Sequence, residues 1–148
     1  MNRFIVGLLT LSSVVAFAAP VLSAPLDLVL YTGGDDLRGK SYANFYIKLR
    51  NRPLKKFTNV TQKQNLPNNS LTRYTIDVPE LTSPNQLEYC EIEHVSQEDF
   101  GQTADNWNLD TSLVIMRTRN NFPVVLCETK QTHRFAGNTR RLTINPAR

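Results

Sequence analysis

The sequence predicts an all-β domain, an antiparallel β-sandwich of about seven to eight strands. Apolar and polar residues alternate over short runs: Ala43, Phe45, Ile47 and Leu49 against Asn44, Tyr46, Lys48 and Arg50, then Tyr74, Ile76 and Val78 against Arg73, Thr75 and Asp77. A period of two puts alternate side chains on one face of a pleated strand. Turn-forming clusters separate these runs, among them TGGDDLRG, NRP, NLPNNS, VPELTSPNQ, RTRNNFP and FAGN, rich in the Gly, Pro, Asn and Asp that tight turns require. Helical periodicity is nearly absent beyond the leading residues, and no internal repeat or low-complexity tract breaks the pattern.

In chain order, residues 1–24 read as a secretory signal peptide. Met1-Asn2-Arg3 gives a positive start, and Phe4 to Phe17 is an apolar run too short to cross a bilayer's ~30 Å core comfortably as a helix. Ala16-Phe17-Ala18 and Val21-Leu22-Ser23 both satisfy the small-x-small cleavage rule, while Pro20 and Pro25 argue against an uncleaved anchor by interrupting a helix. Residues 25–148 then form one domain without a transmembrane segment, expected to be secreted or periplasmic. Its strand-like runs are LDLVLYT, the segments around residues 43–49 and 73–78, QLEYCEIEHV, TSLVIMRT, PVVLCET and RRLTI.

Cys90 and Cys127 are the only cysteines. In an oxidising compartment such a pair is expected to form a disulfide; two buried thiols are the alternative. The formal net charge is +4, one less once Arg3 leaves with the leader. Its distribution is uneven: residues 38–73 carry basic side chains and no acid, residues 74–116 carry acids and no Lys or Arg, and the last segment is basic again. If the fold brings the first two segments together, the asymmetry becomes internal complementarity.

Trp107, the one tryptophan, lies in SQEDFGQTADNWNLDTSLVIM among acids and amides. With strict alternation Trp107, Leu109, Thr111, Leu113 and Ile115 share one strand face, and the indole caps the apolar layer between the sheets. Asp105, Asn106 and Asn108 would then serve loop backbone that the end of a sandwich leaves unpaired.

Three stretches together, LYTGGDDLRGKSYANFYIKL, IEHVSQEDFGQTADNWNLD and HRFAGNTRRLTI, resemble the opening hairpin, late core strand and final strand of secreted bacterial domains similar to the PLAT (polycystin, lipoxygenase, alpha-toxin) fold. The resemblance spans about Leu26 to Ile144. It implies a β-sandwich that contacts lipid surfaces or protein partners, in some members with calcium in the loops at one end. Thr111 departs from the family pattern by standing between the aspartate of NWNLD and Ser112, and this insertion is expected to restore strict alternation there.

Two groups of residues are candidates for binding. Asp35 and Asp36 in the first loop, with Glu98, Asp99 and Asp105 in a later one, would supply oxygen ligands for calcium if the loops converge. Otherwise they are solvated or paired with arginine, Arg38 being the nearest partner, and no residue is assigned to a metal. The second group is the basic run KLRNRPLKKF, with Lys48, Arg50, Arg52, Lys55 and Lys56 between Tyr46 and Phe57. It suits anionic headgroups or an anionic envelope component; nucleic acid is the least expected partner of an exported chain.

Support for catalysis is thin. His94 and His133 are the only histidines and show no metal-binding spacing, and no nucleophile motif occurs. His94 beside Asp99 or Asp105 would be the general base of a small hydrolase; a satisfied histidine at a sheet edge is the plainer expectation. The leading expectation is therefore a secreted, non-catalytic module binding a lipid surface, an envelope component or a protein, with a small hydrolase and a purely structural envelope protein as rivals.

Overall fold

The computed structural model describes residues 25–97, 104–118 and 122–147. The expected signal peptide, residues 1–24, lies outside them, as do Glu98 and Asp99. Nine strands run in order: β1 (Leu26–Thr32), β2 (Tyr42–Leu49), β3 (Lys55–Phe57), β4 (Leu71–Ile76), β5 (Leu87–Val95), β6 (Trp107–Arg117), β7 (Pro123–Thr129), β8 (His133–Phe135) and β9 (Arg141–Ile144). All pairings are antiparallel, in two sheets. One has the order β4-β1-β6-β7, with β8 beside the start of β6; the other has the order β3-β2-β5-β9.

The expected sandwich is observed, with nine strands, two more than the seven runs the sequence shows. The additional β3 and β8 are three residues each, KKF and HRF, too short and too charged for alternation to reveal. Lys55 and Lys56 thus belong to an edge strand rather than to a loop.

Alternate residues of β2 (Ala43, Phe45, Ile47, Leu49) and the buried residues Leu87, Cys90 and Ile92 of β5 meet Leu26, Leu28 and Leu30 of β1 and Val114 and Met116 of β6 in one buried core. Removing each such side chain from water contributes about 1.5 to 3 kcal/mol. Within that core Cys90 of β5 is bonded to Cys127 of β7, as expected, with Cα atoms 6.4 Å apart. The bond joins the two sheets.

The expectation of strict alternation through β6 is corrected. Trp107 and Leu109 point inward, but Ser112, Val114 and Met116 are the buried residues further on, while Leu113 and Ile115 are only partly covered. Tyr31 of β1 pairs with Thr111 and the next residue, Thr32, with Leu109. Asp110 is therefore the extra residue of a β-bulge, which changes which side chains face the core. Its carboxylate accepts a hydrogen bond from Thr132 Oγ1 at 2.9 Å and lies against Gly33, where a Cβ would come within 2.3 Å of Asp110 Oδ1. Any larger residue at Gly33 would have to displace the Asp110 carboxylate.

Replacing Cys90 and Cys127 together by alanine is expected to lower unfolding free energy by about 3 to 4 kcal/mol, the chain-entropy value for a loop of this size, read from urea titrations. Thiol titration of exported, denatured, unreduced protein should find none; two reactive thiols would contradict the bridge.

Candidate functional site

At one end of the sandwich the loop after β1, the segment before β6 and the turn between β8 and β9 come together. Trp107 enters here with no exposed surface. Its ring stacks on Phe135 at 5.1 Å, and its Nε1–H donates to Thr32 Oγ1 at 3.2 Å. The indole thus caps the apolar layer, as its sequence context suggests, and its one polar atom has a partner.

His94 stands edge-on to both rings, with centroids 6.1 Å from Trp107 and 5.9 Å from Phe135. It lies on β5 between β2 and β9, so the expectation of a sheet-edge histidine is corrected: the strand is interior and the side chain fully buried. Arg140 Nη1 lies 2.8 Å from His94 Nδ1. An arginine only donates, so Nδ1 accepts and the proton sits on Nε2. That nitrogen faces Asp105 Oδ2 at 3.5 Å, too long for a good hydrogen bond. Burial pushes the imidazole pKa down and Arg140 adds to this against the pull of Asp105, leaving it at about 4. The ring is neutral at physiological pH.

Asp105 is buried as well. The Arg38 backbone N–H donates to its Oδ2 at 3.2 Å, the Arg38 Nε lies 3.2 Å from Oδ1, and Arg140 Nη1 donates to its carbonyl oxygen at 2.7 Å. Asp35 is close in the fold, its carbonyl accepting the Asn108 N–H at 3.1 Å, but its carboxylate pairs with Arg134 at 3.0 Å. The loops of Asp35 and Asp105 therefore converge while their carboxylates turn to different arginines. Asp36 is half-buried without a side-chain partner among the described residues. Among those residues no three acidic, histidine or cysteine side chains gather where a metal ion could be held. Sequence reasoning found Arg38 but missed Arg134 and Arg140, which meet these acids only through tertiary structure.

The basic run divides in two. Lys55 pairs with Glu80 at 2.9 Å and Lys56 with Glu93 at 3.4 Å, so the early basic and later acidic segments do complement each other. Partial burial would raise the Glu93 pKa, but hydrogen bonds from Tyr46 and Asn44 and the Arg141 ion pair outweigh it and hold the carboxyl at about 2. Lys48 closes the β2–β3 turn by donating to the Arg52 carbonyl. Arg50 and Arg52 are exposed and make no side-chain hydrogen bond or ion pair among the described residues.

Between these arginines and Lys55 the apolar Leu54 is 43% exposed. Arg50 shares a surface cavity with Val125 of β7, which is 40% exposed, and Phe122, just before β7, is 68% exposed. This end of the sandwich joins exposed cations to open apolar side chains.

Trp107→Ala is expected to cost about 3 to 5 kcal/mol by calorimetry, the range for a large aromatic removed from a core. His94 gives a pH signature. The imidazole titrates near 6.5 when free and at about 4 in the fold, so between those values the unfolded chain binds the extra proton. The stability tied to neutral His94 is whole above pH 6.5, is lost as pH falls towards 4, and changes no further below. His94→Gln should flatten this limb while leaving the separate loss from Glu93, between about 4.5 and 2, in place.

No protein-family model and no curated protein matches the sequence. Among solved structures the chain is similar to a lipoxygenase deletion variant, Delta413-417:GS LOX, with a TM-score of 0.52 at 11% sequence identity over 84% of this chain and 16% of that one. The same variant, solved anaerobically in complex with arachidonate, also gives a TM-score of 0.52 at 11% identity, again over 84% of this chain and 16% of that one. At such identity the likeness is one of fold, and the chain spans about a sixth of the length of the lipoxygenase chains it matches. That share is the size of the lipoxygenase PLAT domain, and the chain is a PLAT-like β-sandwich.

Proposed function

We propose that the chain is an exported, non-catalytic binding module that docks on an anionic lipid surface through the end of the sandwich bearing Arg50, Arg52 and Leu54. One observation carries the proposal: an exposed leucine next to two exposed arginines that form no side-chain hydrogen bond or ion pair among the described residues, on the end where Phe122 and Val125 are also open. Each cation near an anionic membrane adds about 1 kcal/mol, and an apolar side chain between them reaches past the headgroups. Export is supported by the leader-like residues 1–24 and by the buried disulfide, a bond that persists in oxidising compartments. The non-catalytic reading is supported by His94, which is sealed from solvent with Nδ1 held by Arg140. A general base must reach its substrate's proton, and this ring has no path to one.

Co-sedimentation with vesicles tests the reading. Binding is expected to phosphatidylcholine vesicles containing phosphatidylglycerol and not to phosphatidylcholine alone, and to fall at high salt as screening shortens the reach of the charges. The Arg50→Ala, Arg52→Ala double variant should bind about 30-fold more weakly, from ~1 kcal/mol per cation, and Leu54→Ser should also weaken binding while leaving the melting temperature unchanged. Equal binding by the double variant, or indifference of the parent protein to anionic lipid, overturns the proposal; a protein or anionic glycan as the partner would then be the remaining surface ligands.

A further inference from the structure

Among the strands that border the two sheets, β7 has its outer edge engaged by the last described residues: Cys127 bridges to Pro146, and the Ala147 N–H donates to the Leu126 carbonyl at 2.8 Å. β3 and β9 are three and four residues long. β4, with six, is the longest border strand whose edge is open. The direction of its backbone groups follows from its pairing with β1. The Thr32 N–H donates to the Ser70 carbonyl at 2.8 Å, and Tyr31 lies opposite Leu71. Bonded and non-bonded pairs alternate along an antiparallel ladder, so Thr72, Tyr74 and Ile76 turn their backbone groups to β1, opposite Leu30, Leu28 and Leu26. Leu71, Arg73 and Thr75 turn theirs to the open edge, where no hydrogen bond among the described residues reaches them. Such an edge is a template for another strand unless a proline, a bulge or a covering segment blunts it. The register of β4 on β1 runs without a shift, and no proline lies between Leu71 and Ile76.

The side chains decide what fits this edge. Arg73, Thr75 and Asp77 are exposed while Ile76 and Val78 are buried, so the alternation of β4 carries on past its last residue. Neither the Arg73 guanidinium nor the Asp77 carboxylate has a side-chain partner among the described residues. Laid antiparallel on a copy of itself with Thr75 at the two-fold axis, the segment RYTID, residues 73–77, is self-complementary. Arg73 of each copy stands opposite Asp77 of the other, Tyr74 opposite Ile76, and Thr75 opposite Thr75. Opposite charges, an aromatic with a β-branched residue, and paired threonines are all cross-strand combinations that stabilise a sheet. Pro79, which has no N–H, falls opposite Leu71 and ends the ladder. Other registers that keep the same backbone directions lose this match: centring on Arg73 sets two guanidiniums side by side, and centring on Tyr74 sets the exposed Leu71 against Asp77.

We propose that β4 is the contact edge of a symmetric dimer, in which β4 of a second copy continues the sheet antiparallel with Arg73 of each copy against Asp77 of the other. The same patch serves both copies, as a two-fold interface requires. The proposal is independent of the lipid-docking reading, which concerns other residues at an end of the sandwich.

Sedimentation equilibrium of the exported protein from about 1 to about 500 µM, a range in which weak association registers, tests it. A monomer–dimer equilibrium is expected. Arg73→Asp and Asp77→Arg each turn two attractive pairs of the dimer into repulsive ones and should weaken it about tenfold. Together the two substitutions exchange the charges and should restore the dimer. Thr75→Pro deletes an N–H that faces away from β1, so it should abolish the dimer while leaving the melting temperature of the dilute protein nearly unchanged. Hydrogen exchange at the Arg73 and Thr75 amides should slow as concentration rises, with the Thr72 and Tyr74 amides, already turned to β1, unaffected. A chain that is monomeric throughout, a dimer undiminished by either charge reversal or by Thr75→Pro, a double variant no tighter than the single ones, or concentration-dependent protection that falls outside β4 each overturns the proposal.

Discussion

The stack of Trp107 on Phe135, closed against His94, is the contact on which one whole end of the molecule depends. It gathers β6 and β8 of one sheet and β5 of the other, and the indole N–H ties in the last residue of β1. A sandwich end exposes backbone that strands no longer pair, and loops can fold over it only if something apolar and wide fills the space between the sheets. With that space filled, Asp105 can be buried; with Asp105 buried, Arg38 and Arg140 are drawn in to meet its oxygens. The acids and amides around Trp107 in the sequence are the polar lining that such a plug requires.

The two ends differ because their charges have been disposed of differently. Near Trp107, the Asp105 and Asp35 carboxylates are each met by an arginine from a distant part of the chain. On the outer face of β5, Glu93 is likewise shared among Tyr46, Asn44, Lys56 and Arg141. Arg50 and Arg52 form no ion pair among the described residues, although Arg52 lies near enough to Glu80 to join Lys55 in lowering its pKa.

Much of this fold was legible in the sequence because it rests on local signals. Alternation located β2 and β5, and short strand-like runs located β1 and β7, nearly to the residue, and the cysteine pair and the packing role of Trp107 followed from compartment and context. The bulge at Asp110 escaped notice because its cause is not local: the extra residue is accommodated by Gly33, just past the end of the neighbouring β1, and by Thr132, and alternation read along one strand cannot see either. The acidic site was legible only in part for the same reason. Convergence of the loops of Asp35 and Asp105 stayed open because no contiguous spacing encodes it, and the partners that decide the behaviour of the acids, Arg134 and Arg140, come from the far end of the chain.

The disulfide has a kinetic corollary. Both sulfurs belong to residues with no exposed surface, and they lie between sheets whose facing side chains close over them. Thiol–disulfide exchange needs a thiolate to approach a sulfur in line with the bond, and no reductant can do so while the sheets are apposed. Reduction of the native protein must wait for the layers to part, so its rate at saturating reductant measures how often the sandwich breathes. The covalent bond that fastens the two layers is thereby also a built-in reporter on their separation, sensitive to excursions far too rare to alter the average structure.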